Sequence, residues 1–310
     1  MRAEQAPLVS IVIPTFDRPK ILRACLQGIA DLQFDRALLE VIVVDDGSSE
    51  RVDGVLTEFR DRLHVRVVTQ RRAGPGAARN AGVGLAAGRY LAFLDDDCVP
   101  APDWLEVLTR ELARDDRCLL GGRVDNALAG NPFADASDRI GRFVYQYYLS
   151  DDAQERFFTA NNMALSAERF RAVGGFDTTI PSRTAEDKEF CDRWHASGLT
   201  LVHVPGAVVH HAHQLGLARF LRQHFNYGRG ILSFRLIRRQ RATGGTIIPE
   251  SWRFYRDLLM SPLREANQPP SWRAFALVAI AQVATLAGAC RQAVSHALGR
   301  TARRAATGPP

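Results

Sequence analysis

Tyr90-Leu91-Ala92-Phe93-Leu94-Asp95-Asp96-Asp97 is a five-residue apolar run closed by three consecutive carboxylates. Runs this short and this apolar fit strands buried on both faces. The acids that follow must then lie outside the core. Upstream the same design recurs. Residues 9–14 lead into Thr15-Phe16-Asp17, residues 41–45 into Asp46-Gly47-Ser48, and residues 65–69 form another Val-rich run. Stretches of helical spacing at about 20–30, 51–60 and 77–87 separate them. Strand and helix alternating at this rhythm predict a mostly parallel sheet covered by helices, with right-handed connections. In such sheets ligands bind beyond the C-terminal ends of the strands, where these acids stand.

Composition agrees with an ordinary globular chain. Its 310 residues are 46% hydrophobic and 24% charged, which excludes disordered and fibrous classes. Five scattered cysteines without a C-x-x-C pair predict buried thiols in a reducing compartment, neither a disulfide framework nor a structural zinc site. No apolar signal core precedes the first strand, so secretion is not expected. The net charge of +6 conceals an asymmetry. Residues 216–310 carry fifteen Arg against three acids, and residues 1–215 carry 25 basic against 31 acidic groups. Two regions with different partners are expected, 1–215 and 216–310.

An Asp-Gly-Ser sequence alone reads as a turn and helix cap. Two acidic clusters at equivalent ends of one sheet say more, because crowded carboxylates repel unless a cation or hydrogen-bond donors compensate. Oxygen ligands of this kind suit Mg²⁺ or Mn²⁺ shared with substrate phosphates. A dinucleotide-binding fold loses support because the first strand-to-helix turn, Pro14-Thr15-Phe16-Asp17-Arg18-Pro19, has no glycine. No phosphate-binding G-x-x-x-x-G-K-[ST] loop occurs either.

In order, residues 9–19 (VSIVIPTFDRP), 41–48 (VIVVDDGS), 74–82 (GPGAARNAG), 90–97 (YLAFLDDD), 161–177 (NNMALSAERFRAVGGFD), 185–194 (AEDKEFCDRW) and 208–213 (VVHHAH) follow one another. This series resembles the family 2 glycosyltransferases of the GT-A fold, over about residues 8–215. The resemblance implies a Rossmann-like α/β domain, here with a C-terminal helical extension. It implies that Pro14, Thr15 and Asp17 hold the base and ribose of a nucleotide-sugar, with Asp46, or Asp45 beside it, accepting from the base. Arg79 and Asn80 would border the sugar and diphosphate. Asp95 and Asp97 match the D-x-D motif, with Asp96 reaching the ribose and Asp97 the direct metal ligand.

The same likeness makes Asp187 the general base of an inverting displacement and Glu186 the residue that orients it or binds acceptor hydroxyls. From its own window, 185–194 is only an acidic helix face. His210 matches the family's metal-binding histidine, with His211 as the alternative. Strand alternation puts His211 and His213 on one face and His210 on the other. The aromatic segment 143–158 is expected to help form the acceptor side.

Residues 216–241 interleave seven Arg with Phe, Tyr, Leu and Ile. This suits an anionic membrane surface, and equally a solvated face of a packing helix; nucleic acid is the weakest of the three partners. Residues 274–290 carry no charge and are expected to be a helix buried against its own protein or a partner, not a lone span. Residues 269–270 read as a linker and 301–310 as a frayed tail. The resemblance implies a Mn²⁺- or Mg²⁺-dependent inverting glycosyltransferase. The donor is a nucleotide-sugar, most simply a UDP-sugar; the acceptor is a glycan or a lipid-linked hydroxyl. The expected location is the cytoplasm, peripheral to the inner face of the cell membrane, with a homo-oligomeric contact left open. The alternatives are a nucleotide- or glycan-binding GT-A module without catalysis, and a sugar nucleotidyltransferase.

Overall fold

The computed structural model describes residues 6–128, 130–149, 157–180, 184–212, 214–241, 250–264 and 270–306, with side chains to residue 298. His213, Pro269, the Gly244-Gly245 break and the last four residues of the expected tail lie outside them, as do 150–156 of the aromatic segment.

The first half alternates as expected: β1 (Val9–Thr15), α1 (Pro19–Ala30), β2 (Leu39–Asp45), α2 (Asp53–Thr57), β3 (Val65–Thr69), α3 (Pro75–Leu85), β4 (Tyr90–Leu94). The chain continues through β5 (Cys98–Pro100), α4 (Trp104–Arg114), β6 (Cys118–Asn126), α5 (Pro132–Leu149), β7 (Asn162–Ser166), α6 (Ala167–Val173), α7 (Glu186–Ala196) and β8 (Thr200–His211). Eight strands form one sheet in the order β3-β2-β1-β4-β7-β6-β8-β5. Pairings β1–β2, β1–β4, β2–β3 and β6–β8 are parallel, and β7 and β5 run antiparallel to their neighbours. The cross-sheet register sets Thr15 opposite Asp45, so the polar ends of β1 and β2 lie side by side.

Two sequence expectations change here. Strand β3 is an edge strand whose side chains are half-buried or exposed, whereas β2 is buried throughout. The middle region, expected to be irregular from 121 to 160, contains most of β6 and the 18-residue helix α5. Ala136 and Ile140, four residues apart, give that helix one buried side.

The link from β4 to β5 is only Asp95, Asp96 and Asp97, yet β4 is fourth in the sheet and β5 eighth. Four strand spacings would span about 19 Å in a flat sheet. Four chain steps reach at most about 14 Å. The sheet therefore curls, and the three aspartates sit on its seam. On one face α1 and α4 cover a core that includes Ile11, Ile13, Leu22, Leu26, Trp104 and Leu108.

The chain divides into two compact units, one of residues 1–128, 148–179 and 186–213, the other of 129–147, 180–185 and 214–310. The second unit takes two inserts from earlier in the chain as well as the C-terminal region. It contains α8 (Leu217–Arg241), α9 (Trp252–Arg264) and α10 (Trp272–Ala306). Glycine lets two of these helices meet backbone to backbone. A Cβ at Gly228 would stand 1.8 Å from the Thr285 carbonyl oxygen, and one at Gly288 would stand 1.8 Å from that of Phe225. Helix α10 runs on to Ala306, through residues expected to fray. It is also less buried than its uncharged sequence predicts: Val278 and Ala281 face the unit's own core, while Ile280, Val283 and Leu286 are exposed.

Candidate active site

The first two strand ends are fastened to each other. Asp17 enters the left-handed region (φ 53), where an acid is tolerated when local hydrogen bonds hold it. Its carboxylate accepts from the Ser49 backbone N–H (2.7 Å) and hydroxyl (2.8 Å), and its own N–H donates to Ser48 Oγ (2.9 Å). Those bonds hold the Asp17 carboxyl below the usual carboxylate range. Pro14, half-buried, and Thr15 close β1. Asp46 is buried and accepts from Gln70 Nε2 (2.7 Å) and the backbone N–H groups of Ala73 and Gly74 (both 2.8 Å). It therefore shapes the loop before α3. Asp45 accepts from the Ser48 N–H, which makes it the turn residue of the pair.

The three aspartates after β4 have three environments. Asp96 is buried, takes the Thr15 hydroxyl at 2.7 Å, and is pushed up to about 6 by burial, with Arg18 opposing the rise. Arg18 bridges Asp96 (3.2 Å) and Asp97 (3.0 Å) through one nitrogen. Asp95 is the most exposed and pairs with buried Arg79 at 2.6 Å. Arg79 also reaches Glu186 at 3.3 Å, so a single guanidinium ties the β4 end to the start of α7.

Glu186 and Asp187 begin α7, immediately after Ala185, whose φ of 74 is costly for a residue with a Cβ. Glu186 is buried. Its Oε1 meets Arg79 while, among the described residues, its Oε2 has no hydrogen-bond partner, and neither has the Arg79 Nε. Burial first, and the Asp187 charge second, raise Glu186 to about 7. Asp187 is also raised by burial, against the lowering bonds from the backbone of Lys188 (2.8 Å) and Ala160. Two adjacent carboxyls at the start of α7 thus both bind a proton more readily than ordinary carboxylates.

The other expected residues are placed as follows. His210 is exposed, whereas the His211 Nε2 lies 3.1 Å from Asp97 Oδ1. Both histidines pair with β5, His210 opposite Val99 and His211 opposite Cys98, but alternation turns them to opposite faces of the sheet, and it is the His211 face that meets Asp97. The Asn80 amide faces inward: it donates to the Phe176 carbonyl (2.8 Å) and accepts from the Phe176 N–H (2.9 Å). This fastens the turn at Gly175, where φ is 66 and a Cβ would clash with Asn80. The aromatic segment goes largely into packing. Tyr148 and Phe157 flank the Lys188 ammonium at 4.4 and 4.9 Å, Phe158 fills the space over Gly121, and Phe143 and Tyr147 pack on Phe254.

Arg18 and Cys98 were not singled out from the sequence. Arg18 had a signal, a cation in the first strand-end turn; Cys98 had only its place after the aspartates. Asp97, Cys98 and His211 place a carboxylate oxygen, a sulfur and an imidazole nitrogen within 4.8 Å of one another, a donor set that fits a divalent cation.

Residues 10–173 match the family model for glycosyl transferase family 2. The chain is 29% identical over 240 residues to a chondroitin synthase of Escherichia coli, covering 66% of this chain and 34% of that protein. It is 25% identical over 228 residues to glycosyltransferase AglE of Haloferax volcanii, covering 72% and 73%. It thus spans about a third of the chondroitin synthase, and 24% of a Pasteurella multocida hyaluronan synthase. Among solved structures, a mannosyltransferase from Pyrobaculum calidifontis in complex with GDP-Man and Mn²⁺ superposes with a TM-score of 0.60 at 19% identity, over 95% of this chain and 81% of that one. TarS 1–349 of S. aureus in complex with UDP-GlcNAc gives 0.55 at 14%, over 94% and 92%. With a family match across more than half its length and the GT-A fold of these neighbours, the chain belongs to glycosyl transferase family 2.

Proposed function

We propose that the protein is a metal-dependent, inverting glycosyltransferase that moves a sugar from a nucleotide-diphosphate donor to a hydroxyl of a glycan or lipid-linked acceptor. One observation carries the reading: Arg79 joins Asp95, on the donor side of the sheet, to Glu186 at the start of α7. The elements that would hold a leaving nucleotide and those that would take a proton are thereby fixed to a single buried cation.

Pro14, Thr15, Asp17 and Asp46 would receive the nucleoside, with the remaining acceptor capacity of Asp46 Oδ2 directed to a base N–H. Asp96 would reach the ribose. Asp97 and His211 would hold the divalent ion, with Asp95 beside them. Mn²⁺ or Mg²⁺ bound there supplies charge neutralisation for a departing diphosphate. Asp187 takes the proton of the acceptor hydroxyl as its oxygen attacks the anomeric carbon and the bond to the diphosphate breaks. Burial raises its proton affinity above that of an ordinary carboxylate, which is the direction a base requires. Glu186 orients the hydroxyl with its unpartnered oxygen. A UDP-sugar is the simplest donor; the neighbours in complex with GDP-Man and UDP-GlcNAc make both nucleotides the first to try.

The test is nucleotide release from a panel of nucleotide-sugars with Mn²⁺ and candidate acceptors. Release with one donor, dependent on acceptor, supports the reading. Donor binding without turnover favours a non-catalytic module, and pyrophosphate as the product favours a nucleotidyltransferase.

We further propose that the C-terminal helices contact an anionic membrane surface on its cytoplasmic side. Trp252, Arg253, Tyr255 and Arg256 are exposed together on α9, and Trp272 and Arg273 open α10. Residues Trp272–Leu298 are long and apolar enough to cross a membrane by length and composition. Interfacial aromatics beside arginines favour the surface position. Failure to co-float with anionic vesicles would remove this part.

A further inference from the structure

We propose that Cys98 makes the Asp97–His211 pair a three-donor site of mixed hardness, which takes thiophilic cations such as Zn²⁺ in preference to Mn²⁺ or Mg²⁺. The location of the resident metal rests on the functional reading above; the thiol's part in the site does not.

The geometry begins in the strand register. Cys98 opens β5 directly opposite His211 on β8, and Asp97 precedes it. The two oxygens of Asp97 are divided. Oδ2 faces Arg18 at 3.0 Å, while Oδ1 lies 3.1 Å from His211 Nε2 and 4.0 Å from Cys98 Sγ. The Oδ1 side is therefore the one on which an imidazole and a thiol converge. Tetrahedral zinc with bonds of about 2.0–2.3 Å needs donors about 3.3–3.6 Å apart, so small side-chain rotations would bring all three into range. Cys98 is fully buried and Asp97 nearly so, while His211 is a quarter exposed and gives the approach from solvent.

The chemistry of preference follows from the donors. Mn²⁺ and Mg²⁺ favour oxygen ligands and gain little from sulfur, so the thiol is a bystander with them. Zn²⁺ binds thiolate and imidazole strongly and stands well above Mn²⁺ in intrinsic affinity. Its binding would release the thiol proton to solvent. A site with a buried sulfur should therefore be blocked by zinc while working with manganese.

Cobalt reports this directly, because thiolate ligation gives Co²⁺ an intense near-ultraviolet charge-transfer band. The experiment uses the full chain carrying Cys290→Ser, which removes the exposed thiol. Added Co²⁺ should give the band, and Cys98→Ser in that background should abolish it. By calorimetry, Cys98→Ser should weaken Zn²⁺ binding at least about tenfold, the size that even outer-shell partners reach. Mn²⁺ affinity should change less than about twofold. No band, or a band that survives Cys98→Ser, overturns the proposal. If Cys98→Ser does not fold, X-ray absorption of the zinc-loaded chain decides: a sulfur neighbour supports the site, and only nitrogen and oxygen overturn it. A band without sugar transfer from any donor would sink the functional reading alone, and transfer without a band would sink only this one.

Discussion

Helix α7 carries two buried glutamates, each paired with an arginine, and the pairs differ in how completely they are satisfied. Glu189 is fully buried and takes Arg193 in a two-point grip at 2.6 and 2.8 Å, while Arg193 also donates to the carbonyls of Val173 and Gly175. One turn earlier, Glu186 meets Arg79 at one oxygen, and each partner keeps a buried polar atom with no hydrogen-bond partner among the described residues. The closed pair ties α7 to the turn after α6. The open pair leaves one donor and one acceptor unused among the described residues. A buried charge is costly unless fully paired, so the second arrangement is tolerated for a reason other than stability.

The contrast breaks most sharply at chemistry. Asp187→Asn, beside the open pair, should cut sugar transfer by about 10²- to 10⁴-fold. Donor affinity and thermal unfolding should stay near wild type; a variant with normal turnover would remove the assigned base. Next in size, Glu189→Ala leaves Arg193 without its counter-charge and should cost about 3–5 kcal/mol of stability, read by denaturant unfolding. A loss below about 1 kcal/mol would mean the closed pair is not structural.

The smallest effect is a pH dependence. Glu186 is raised to about 7 in the folded chain, from an ordinary value of 4.5. Between those values the folded state binds more protons than the unfolded state, so this group's contribution falls as pH rises, and the penalty is complete above about 7. Glu186→Gln should therefore raise Tm relative to wild type at pH 8, with the difference closing toward pH 4.5. A pH-independent difference would place the strain elsewhere.

Much of this was legible in the chain. Short apolar runs followed by polar residues predict β1, β2 and β4 to within about two residues, because strands buried on both faces read as near-continuous apolar runs. The same reasoning overstates the burial of β3, since edge position depends on strand order. It misses α5, whose buried side is narrow and interrupted by charged residues. At the candidate site, the sequence singles out Thr15, Asp96, Asp97, Glu186 and Asp187 as residues at strand and helix ends, but not their pairings. Arg79–Glu186 spans residues far apart in sequence, and no local pattern marks it. The nearness of His211 rather than His210 to Asp97 follows from which face of the sheet each side chain occupies, and that depends on where the chain turns after β4. The hold of Asn80 on the Phe176 backbone is likewise invisible to local pattern.

The seam of the curled sheet has a consequence for how the molecule assembles. Asp97 and His211 are 114 positions apart in the chain, yet they face each other once β5 zips onto β8. That zipper is three residue pairs long and forms only when distant segments have found one another. A cation gripping both sides would act as a clasp on the last-closing joint, slowing amide hydrogen exchange at Val99 and Val209 before it affects β1 or β2. The metal would then be a latch for the seam as well as a counter-ion for the leaving group.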